Sequence, residues 1–275
     1  MTTKMSTLPP LPPSIPAFLS AYLPPSSSSA TPTPSPSPVP LPTRPFVTLT
    51  YATSLDSHLS LSAGVQTLLS GSATKALTHY LRTQHSAILI GASTAIADDP
   101  GLNSRLPGTP LARQPRPVVL DPQFRWRIAR DARVLRTAGR GEGKAPFVFV
   151  SAAAGGEVEA DERVRLLEEA GGRVVRIDAP PPWSWKTVLE TIAALGLDSV
   201  MVEGGGKVIN GLLRRENRGF VDSVVVTVAP VYLGTGGVNV CPPRVVETQA
   251  AVRFTDVLWT VLGNDVVMAA RPDLS

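Results

Sequence analysis

The stretch best suited to hold a ligand runs Glu203-Gly204-Gly205-Gly206-Lys207. An apolar run at residues 200–202 precedes it and predicts a buried strand, and residues 207–216 carry apolar side chains at helical spacing. Glycine lets the backbone approach a ligand, and a helix start offers free N–H groups and a positive dipole end. This pattern is typical of a phosphate site, although a tight turn without a ligand produces the same pattern.

Two sharper nucleotide motifs are excluded at this stretch. A P-loop needs Gly-x-x-x-x-Gly-Lys followed by Ser or Thr, whereas Val208 follows Lys207 here. A Rossmann fingerprint needs Gly-x-Gly-x-x-Gly at the first strand-to-helix turn, and these glycines are contiguous and late in the chain. A dinucleotide bound here therefore implies another fold.

The second polar stretch runs Asp98-Asp99-Pro100-Gly101-Leu102-Asn103-Ser104-Arg105. Asp-Pro-Gly alone would explain it as a surface turn. However, Thr94 and Asp98 directly follow a predicted buried strand at residues 87–90, and α/β sheets bind ligands at the carboxyl ends of their strands. This position favours a ligand site.

Composition excludes several classes of protein. Cys241 is the only cysteine and the three histidines show no ligand spacing, so we expect neither a disulfide framework nor a metal site. The net charge is +4, but no dense basic run is interleaved with aromatic residues, which disfavours nucleic-acid binding. No apolar run is long enough to span a membrane. We therefore expect a cytoplasmic protein.

Strands and helices alternate after residue 45, which predicts a mostly parallel α/β sheet. Gly263-Asn264-Asp265 between two apolar runs predicts a closing antiparallel hairpin. Eight arginines crowd residues 113–140, either as a solvated basic loop or with one member that meets a 2′-phosphate.

Residues 1–45 have a different composition. They hold half of the chain's 28 prolines, many serines and no acidic residue. We expect this extension to be disordered and without catalytic function, and residues 46–275 to form the folded domain.

Four motifs together resemble the riboflavin-pathway reductase family, and most closely its stand-alone fungal members. They are, in chain order, residues 50–56 (Thr-Tyr-Ala-Thr-Ser-Leu-Asp), 90–105, 202–206 and 229–234 (Ala-Pro-Val-Tyr-Leu-Gly). Ser57 departs from the family pattern, which has glycine there, so the conformation of that turn is open.

The resemblance implies a dihydrofolate-reductase-like fold and a homodimer. It also implies NADPH-dependent reduction of the ribosylamino group of a pyrimidine ribosyl phosphate to a ribitylamino group. By matching motif positions, it places Thr94, Asp98, Gly204, Gly205, Gly206, Lys207 and Val208 at the cofactor. It places Leu102, Arg105, Glu203 and, by its position near a helix end, Arg82 at the substrate. A guanidinium such as that of Arg105 suits a sugar phosphate, because it binds phosphate oxygens in a bidentate manner.

The sequence also bears on two other functions. The deaminase of the same pathway needs a His-x-Glu and Pro-Cys-x-x-Cys zinc signature, which a single cysteine excludes. A nucleotide-sensing protein that kept the fold and lost turnover remains an alternative. The catalytic residues stay unassigned: Glu203 and Asp56 are candidate proton donors, but either side chain can simply bind the substrate.

Overall fold

The structure, a computed structural model, describes residues 8–25, 43–153 and 161–275. Its strands within these ranges are β1 (Phe46–Thr53), β2 (His58–Ser60), β3 (Ala87–Gly91), β4 (Arg116–Leu120), β5 (Phe147–Ser151), β6 (Arg173–Ile177), β7 (Ser199–Gly204), β8 (Ser223–Val228), β9 (Val238–Asn239), β10 (Phe254–Leu262) and β11 (Asp265–Pro272). The helices are α1 (Ser14–Leu19), α2 (Ser72–Thr83), α3 (Ala92–Asp98), α4 (Arg133–Gly139), α5 (Glu162–Glu169), α6 (Trp185–Ala194) and α7 (Gly206–Leu213).

Nine strands form one mixed sheet in the order β10-β11-β8-β1-β7-β3-β4-β5-β6. The seven strands from β8 to β6 in this order run parallel, whereas β11 pairs antiparallel with β8, and β10 pairs antiparallel with β11. This confirms the predicted mostly parallel sheet with a closing hairpin. Short, β-branched, almost wholly apolar strands are typical of parallel strands buried on both faces. A separate pair of strands, β2 and β9, was not predicted.

Both faces of the sheet are covered. On one face, α6 and α7 bury apolar side chains against β1, β3, β7 and β8, among them Leu49, Leu89, Val202, Leu189, Ile192 and Leu212. On the other face, two clusters lie side by side, one under α3, α4 and α5 and one under α1 and α2. The alternation of side chains along each strand divides residues between these faces: Leu89 and Val202 face one layer, and Ile88 and Met201 face the other.

Helix α2 is fixed at both ends by distant parts of the chain. At its start, the buried carboxylate of Asp265 accepts hydrogen bonds from the Gly71 N–H at 2.9 Å and the Thr74 hydroxyl at 2.5 Å. Beyond its end, the buried His85 ring contacts the Leu81 carbonyl at 2.8 Å and the Thr48 hydroxyl at 2.7 Å. Asp265 lies in the predicted hairpin turn, so the hairpin also caps this helix.

The expectation that residues 1–45 are disordered is wrong for residues 8–25. Residues Ser14–Leu19 form α1, a 3₁₀ turn follows at Ser20–Tyr22, and Ile15, Leu19 and Tyr22 are buried against α2. These apolar residues recur at helical spacing, and proline is tolerated in a first helical turn because its missing N–H has no partner there. A composition averaged over 45 residues obscured this local pattern. Residues 1–7 and 26–42 lie outside the described residues.

Candidate functional site

The glycine stretch forms the predicted turn between β7 and α7. Gly205 has a φ of 89°, in the left-handed region that favours glycine, and α7 begins at Gly206 rather than at Lys207. A Cβ added to Gly205 would lie 3.1 Å from the Thr94 hydroxyl, and one added to Gly206 would lie 2.5 Å from a Val238 methyl. The turn therefore depends on the absence of side chains, and it presents backbone N–H groups at a helix start beside Thr94.

Thr94 and Asp98 lie on α3, a helix that the sequence analysis did not predict. They are four residues apart and so share a face of this helix. Burial raises the pKa of the half-buried Asp98 carboxyl. The helix ends at Asp99, which has a φ of 38° and accepts the Arg133 N–H with its carboxylate at 3.0 and 3.2 Å. This contact fixes the polar loop that begins at Pro100.

Two more of the predicted cofactor residues lie on the first turn of α7. Lys207 is exposed, and Val208 is partly buried. A Cβ added to Gly91 would lie 3.3 Å from a Val208 methyl, so α7 packs closely on the start of α3. The structure thus brings together six of the seven predicted cofactor positions. The seventh, Asp98, lies one helical turn beyond Thr94.

Arg82 and Glu203 form the closest ion pair on the predicted substrate side. The Arg82 Nε and Nη2 donate to the two carboxylate oxygens of Glu203 at 2.6 and 2.5 Å, and both side chains are 14% exposed. The Arg82 Nη1 donates to the Asn103 carbonyl at 2.7 Å. The pair therefore links the end of α2 to the end of β7 and to the polar loop, next to the glycine turn.

The polar loop from Pro100 to Leu106 is folded over α2. Leu102 has a φ of 52° and its side chain is buried in the cluster under α3 and α4, so only its backbone faces the polar surroundings. The Ser104 hydroxyl donates to the His79 carbonyl at 2.8 Å, and the Gln114 side chain bonds both backbone groups of Ser104. These contacts place Arg105 beside Arg82.

Arg105 is surrounded by positive groups. Its pKa is lowered by burial and by the charges of Arg82 and Arg133. Its guanidinium nitrogens lie 3.2 and 3.0 Å from the His79 Nε2, and among the described residues no carboxylate lies within 4.0 Å of it. A cation with cationic neighbours and no ion-pair partner is a site where an anion would be stabilised.

His79 was missed by the sequence analysis, which took the three histidines as surface or helix residues. It is on α2, but it is 3% exposed and lies between the two arginines. Burial, and then the charges of Arg82 and Arg105, hold its pKa well below its ordinary value, so the ring is neutral. Its position three residues before Arg82, on the same helix face, was the available signal.

The Asp56 carboxylate is hydrogen-bonded to the loop at Leu233 and Gly234. Its carboxylate accepts hydrogen bonds from the Ser54 hydroxyl and from the N–H groups of Leu233, at 3.1 Å, and Gly234, at 2.8 Å. The Ser54 hydroxyl, and then these N–H groups, hold the pKa of Asp56 well below its usual range. A carboxylate stabilised in its ionised form is a poor proton donor. Ser57 has a φ of 62°, so serine adopts the left-handed conformation here.

The arginine-rich segment is not a single loop, because it contains β4 and α4. Arg116 lies at the amino end of β4 over the Phe147 ring, away from the glycine turn. Arg130 pairs with Glu169 and Arg140 with Glu142. Arg125 lies beyond the carboxyl end of β4, 3.8 Å from the buried Asp121 carboxylate. These positions divide the segment into arginines with structural contacts and others, such as Arg125, at the carboxyl edge of the sheet.

Within the described ranges, no group of three or more potential metal ligands is clustered. Likewise, no helix in these ranges is long and apolar enough to cross a membrane.

Comparison with known proteins identifies the family. A family model described as the RibD C-terminal domain matches residues 45–268. The 2,5-diamino-6-ribosylamino-4(3H)-pyrimidinone 5′-phosphate reductase of Debaryomyces hansenii is 36% identical over 272 residues, which covers 97% of this chain and 99% of that protein. The protein of the same name from Saccharomyces cerevisiae is 35% identical, with 96% and 98% covered.

Solved structures are also similar to this chain. The Saccharomyces cerevisiae riboflavin biosynthesis reductase Rib7 has a TM-score of 0.71 at 31% identity, and the similarity covers 94% of this chain and 100% of that chain. The RibD protein of Acinetobacter baumannii, at a TM-score of 0.65 and 24% identity, shares the fold. The dihydrofolate-reductase-like architecture implied by the motifs is confirmed. With a family model spanning residues 45–268 and relatives of this similarity along nearly the whole chain, the protein belongs to the RibD C-terminal domain family.

Proposed function

We propose that this protein catalyses the NADPH-dependent reduction of 2,5-diamino-6-ribosylamino-4(3H)-pyrimidinone 5′-phosphate, converting its ribosylamino group to a ribitylamino group. The relatives that carry this activity in their names align with nearly the whole chain. The observation that carries the proposal is the placement of Arg105, a cation without a carboxylate partner among the described residues, beside Arg82, whose partner Glu203 directly precedes the glycine turn at the start of α7. A phosphorylated substrate and a dinucleotide need these two features side by side.

The cofactor would bind along the glycine turn. Gly204, Gly205 and Gly206 form the tight turn that leads into α7, and the first turn of α7, with Lys207 and Val208, supplies N–H donors and a positive dipole end for phosphate groups. Thr94 and Asp98 would contact the cofactor from α3. When bound, the reduced nicotinamide supplies the hydride, and the protein supplies position and electrostatics. We propose NADPH rather than NADH because arginines such as Arg125 lie at the carboxyl edge of the sheet, where one of them would bind the 2′-phosphate of NADPH.

The substrate would lie between the glycine turn and α2. Arg105 would bind its phosphate, which replaces the missing anionic partner of this guanidinium. Glu203, held in place by Arg82, would accept hydrogen bonds from the ribosylamino or pyrimidine groups. Leu102 would contribute through its backbone, because its side chain belongs to the core.

Asp56 is a positioning group in this proposal. It holds the loop at Leu233 and Gly234 and remains ionised, so the proton required by the reduced product comes from another group. Among the described residues, no feature favours the alternative of a nucleotide sensor without turnover.

Steady-state oxidation of NADPH, followed by its absorbance with the pyrimidine substrate, tests the proposal. Arg105→Ala removes a charge-assisted hydrogen bond, so we expect kcat/KM to fall about 10- to 150-fold, while the NADPH dissociation constant changes little. Arg105→Lys should recover only part of this loss, since an ammonium lacks the planar fork of donors.

A matched control is Arg130→Ala, which removes an exposed arginine paired with Glu169 far from α2. Its kcat/KM should stay near that of the wild type. Near-normal kcat/KM in Arg105→Ala would contradict the assignment of the phosphate to Arg105, and absence of NADPH oxidation by the wild type would contradict the proposed reaction.

We also propose a cytoplasmic homodimer whose catalytic domain spans residues 46–275, with residues 8–25 as a packed extension. β10 ends the sheet, and Leu258, Trp259 and Val261 on it are 48%, 58% and 72% exposed. Apolar side chains on an edge strand are costly in water, and a second copy would cover them. Sedimentation velocity decides this point: a monomer at micromolar concentration would contradict it.

A further inference from the structure

His79 is a buried polar side chain that the proposed reaction does not use. It lies on α2, one turn before Arg82, and it contacts Arg105 through both ring nitrogens. Its Nδ1 lies 3.0 Å from the backbone nitrogen of Arg105, and its Nε2 lies 3.2 and 3.0 Å from the Nε and Nη2 of the same residue. One histidine thus meets the backbone and the side chain of the arginine.

The chemistry of imidazole decides which of these contacts is a hydrogen bond. A neutral ring has one nitrogen that accepts and one that donates. The backbone N–H and the guanidinium of Arg105 can both only donate, and they face different ring nitrogens, so the neutral ring accepts from one of them. The loop fixes the backbone N–H, whereas the guanidinium can turn, so we assign the acceptor to Nδ1 and the ring proton to Nε2.

This tautomer leaves the Arg105 guanidinium without an acceptor on the ring. The guanidinium nitrogens, 3.2 and 3.0 Å from Nε2, then face another donor, so the guanidinium loses no hydrogen bond when it turns towards an anion. Its backbone, in contrast, is held by the Nδ1 of His79. A residue whose backbone is fixed and whose guanidinium is free to turn is preorganised to bind an anion, because less conformational freedom is lost on binding.

A histidine is well matched to this place. The site already holds the charges of Arg82 and Arg105, so a second permanent cation there would repel both. An apolar side chain of similar size would fill the space and leave the N–H of Arg105 without this acceptor. Only a neutral side chain with an acceptor at the position of Nδ1 meets both requirements.

We propose that His79 is a positioning residue for substrate binding: its Nδ1 holds the backbone of Arg105 so that the guanidinium is directed to the substrate phosphate. This inference rests on the proposed function, in which Arg105 binds that phosphate.

The experiment compares three substitutions of His79 in the full chain. His79→Asn keeps an acceptor close to the position of Nδ1, whereas His79→Gln moves its polar group to the position of Nε2, and His79→Leu has no acceptor. We expect the KM for the phosphorylated pyrimidine to rise about 10-fold in the Leu and Gln variants, close to the full worth of a neutral hydrogen bond. The Asn variant should stay within about threefold, and kcat and the NADPH dissociation constant should be unchanged in all three.

A merely structural role would lower kcat and thermal stability and raise KM together, and Asn would not rescue it. The same substitutions in the Arg105→Ala background separate the two roles further. Because no guanidinium remains to be directed, the difference in KM between the Asn and Leu variants should vanish there. If His79→Leu fails to fold, the comparison of Asn with Gln carries the same test.

Three outcomes would overturn the inference: a wild-type KM in His79→Leu or His79→Gln, an Asn variant as impaired as the Leu variant, or a difference that persists without Arg105. Failure of the proposed function looks different. In that case the Arg105→Ala variant has the wild-type KM for the phosphorylated substrate, independent of the results for the His79 variants.

Discussion

Gly205 provides a prediction whose magnitude follows from the backbone. Its φ of 89° is a conformation that side chains other than glycine rarely adopt, and a Cβ would lie 3.1 Å from the Thr94 hydroxyl. We expect Gly205→Ala to cost about 1–2 kcal/mol for the left-handed conformation. A loss of this size lowers Tm by roughly 2–8 °C in a domain of this length. Gly205→Val should cost more, because a β-branched side chain is stiffer and wider.

The same change should weaken cofactor binding, because Thr94 must move and the N–H groups at the start of α7 lose their access. NADPH affinity is measured by fluorescence titration of the folded variants. Gly204→Ala is the stability control: this position lacks a positive φ, and its Cβ would make an ordinary contact of 3.9 Å with Thr94. Equal Tm values for Gly205→Ala and Gly204→Ala, or unchanged NADPH affinity in Gly205→Val, would refute the reasoning and leave the turn with a structural role alone.

Two further predictions concern stability. Leu19→Ala should lower the free energy of unfolding by about 2–5 kcal/mol, because this side chain of α1 is fully buried, whereas Leu68→Ala, at a position 77% exposed, should change it little in the same denaturant titration. Stability should also fall from pH 6.5 towards pH 4: burial lowers the folded pKa of His85 to about 4, so the unfolded chain binds the proton first. This contribution, roughly 3 kcal/mol at most, is present above pH 6.5 and should be missing from the pH dependence of His85→Gln, so equal slopes would contradict it.

Much of the fold was predictable because it depends on local patterns. Apolar β-branched runs separated by helical periodicity predicted the parallel strands, and Gly263-Asn264-Asp265 predicted the closing hairpin. The glycine turn was predictable for the same reason: contiguous glycines after a strand have few other structural uses.

The parts that were missed depend on context. Helix α3 follows Gly91 directly and contains Ser93 and Thr94, residue types that are common in turns. Its packing against β3 and β4 stabilises the helix. The N-terminal helix α1 was hidden among prolines, and its burial requires α2 as a partner. In both cases tertiary packing overrode local propensity.

The site was predictable only in part for a similar reason. Motif positions predicted Arg82, Glu203 and Arg105 as substrate residues. The ion pair between Arg82 and Glu203, however, joins α2 to β7 across 121 residues of sequence. His79 became notable only when the loop at Arg105 was found to fold over it. Single-sequence patterns do not contain such long-range contacts.

The cap that Asp265 places on α2 has a consequence for synthesis of the chain. The ribosome adds residues in order, and the carboxylate that accepts from the Thr74 hydroxyl is made 191 residues later. At roughly 5–20 residues per second, α2 waits about 10–40 s before its first turn is completed. The helix that carries His79 and Arg82 thus matures only after the hairpin has emerged. In a nascent chain that stops before Asp265, the helix that supports the proposed substrate site still lacks the cap at its start.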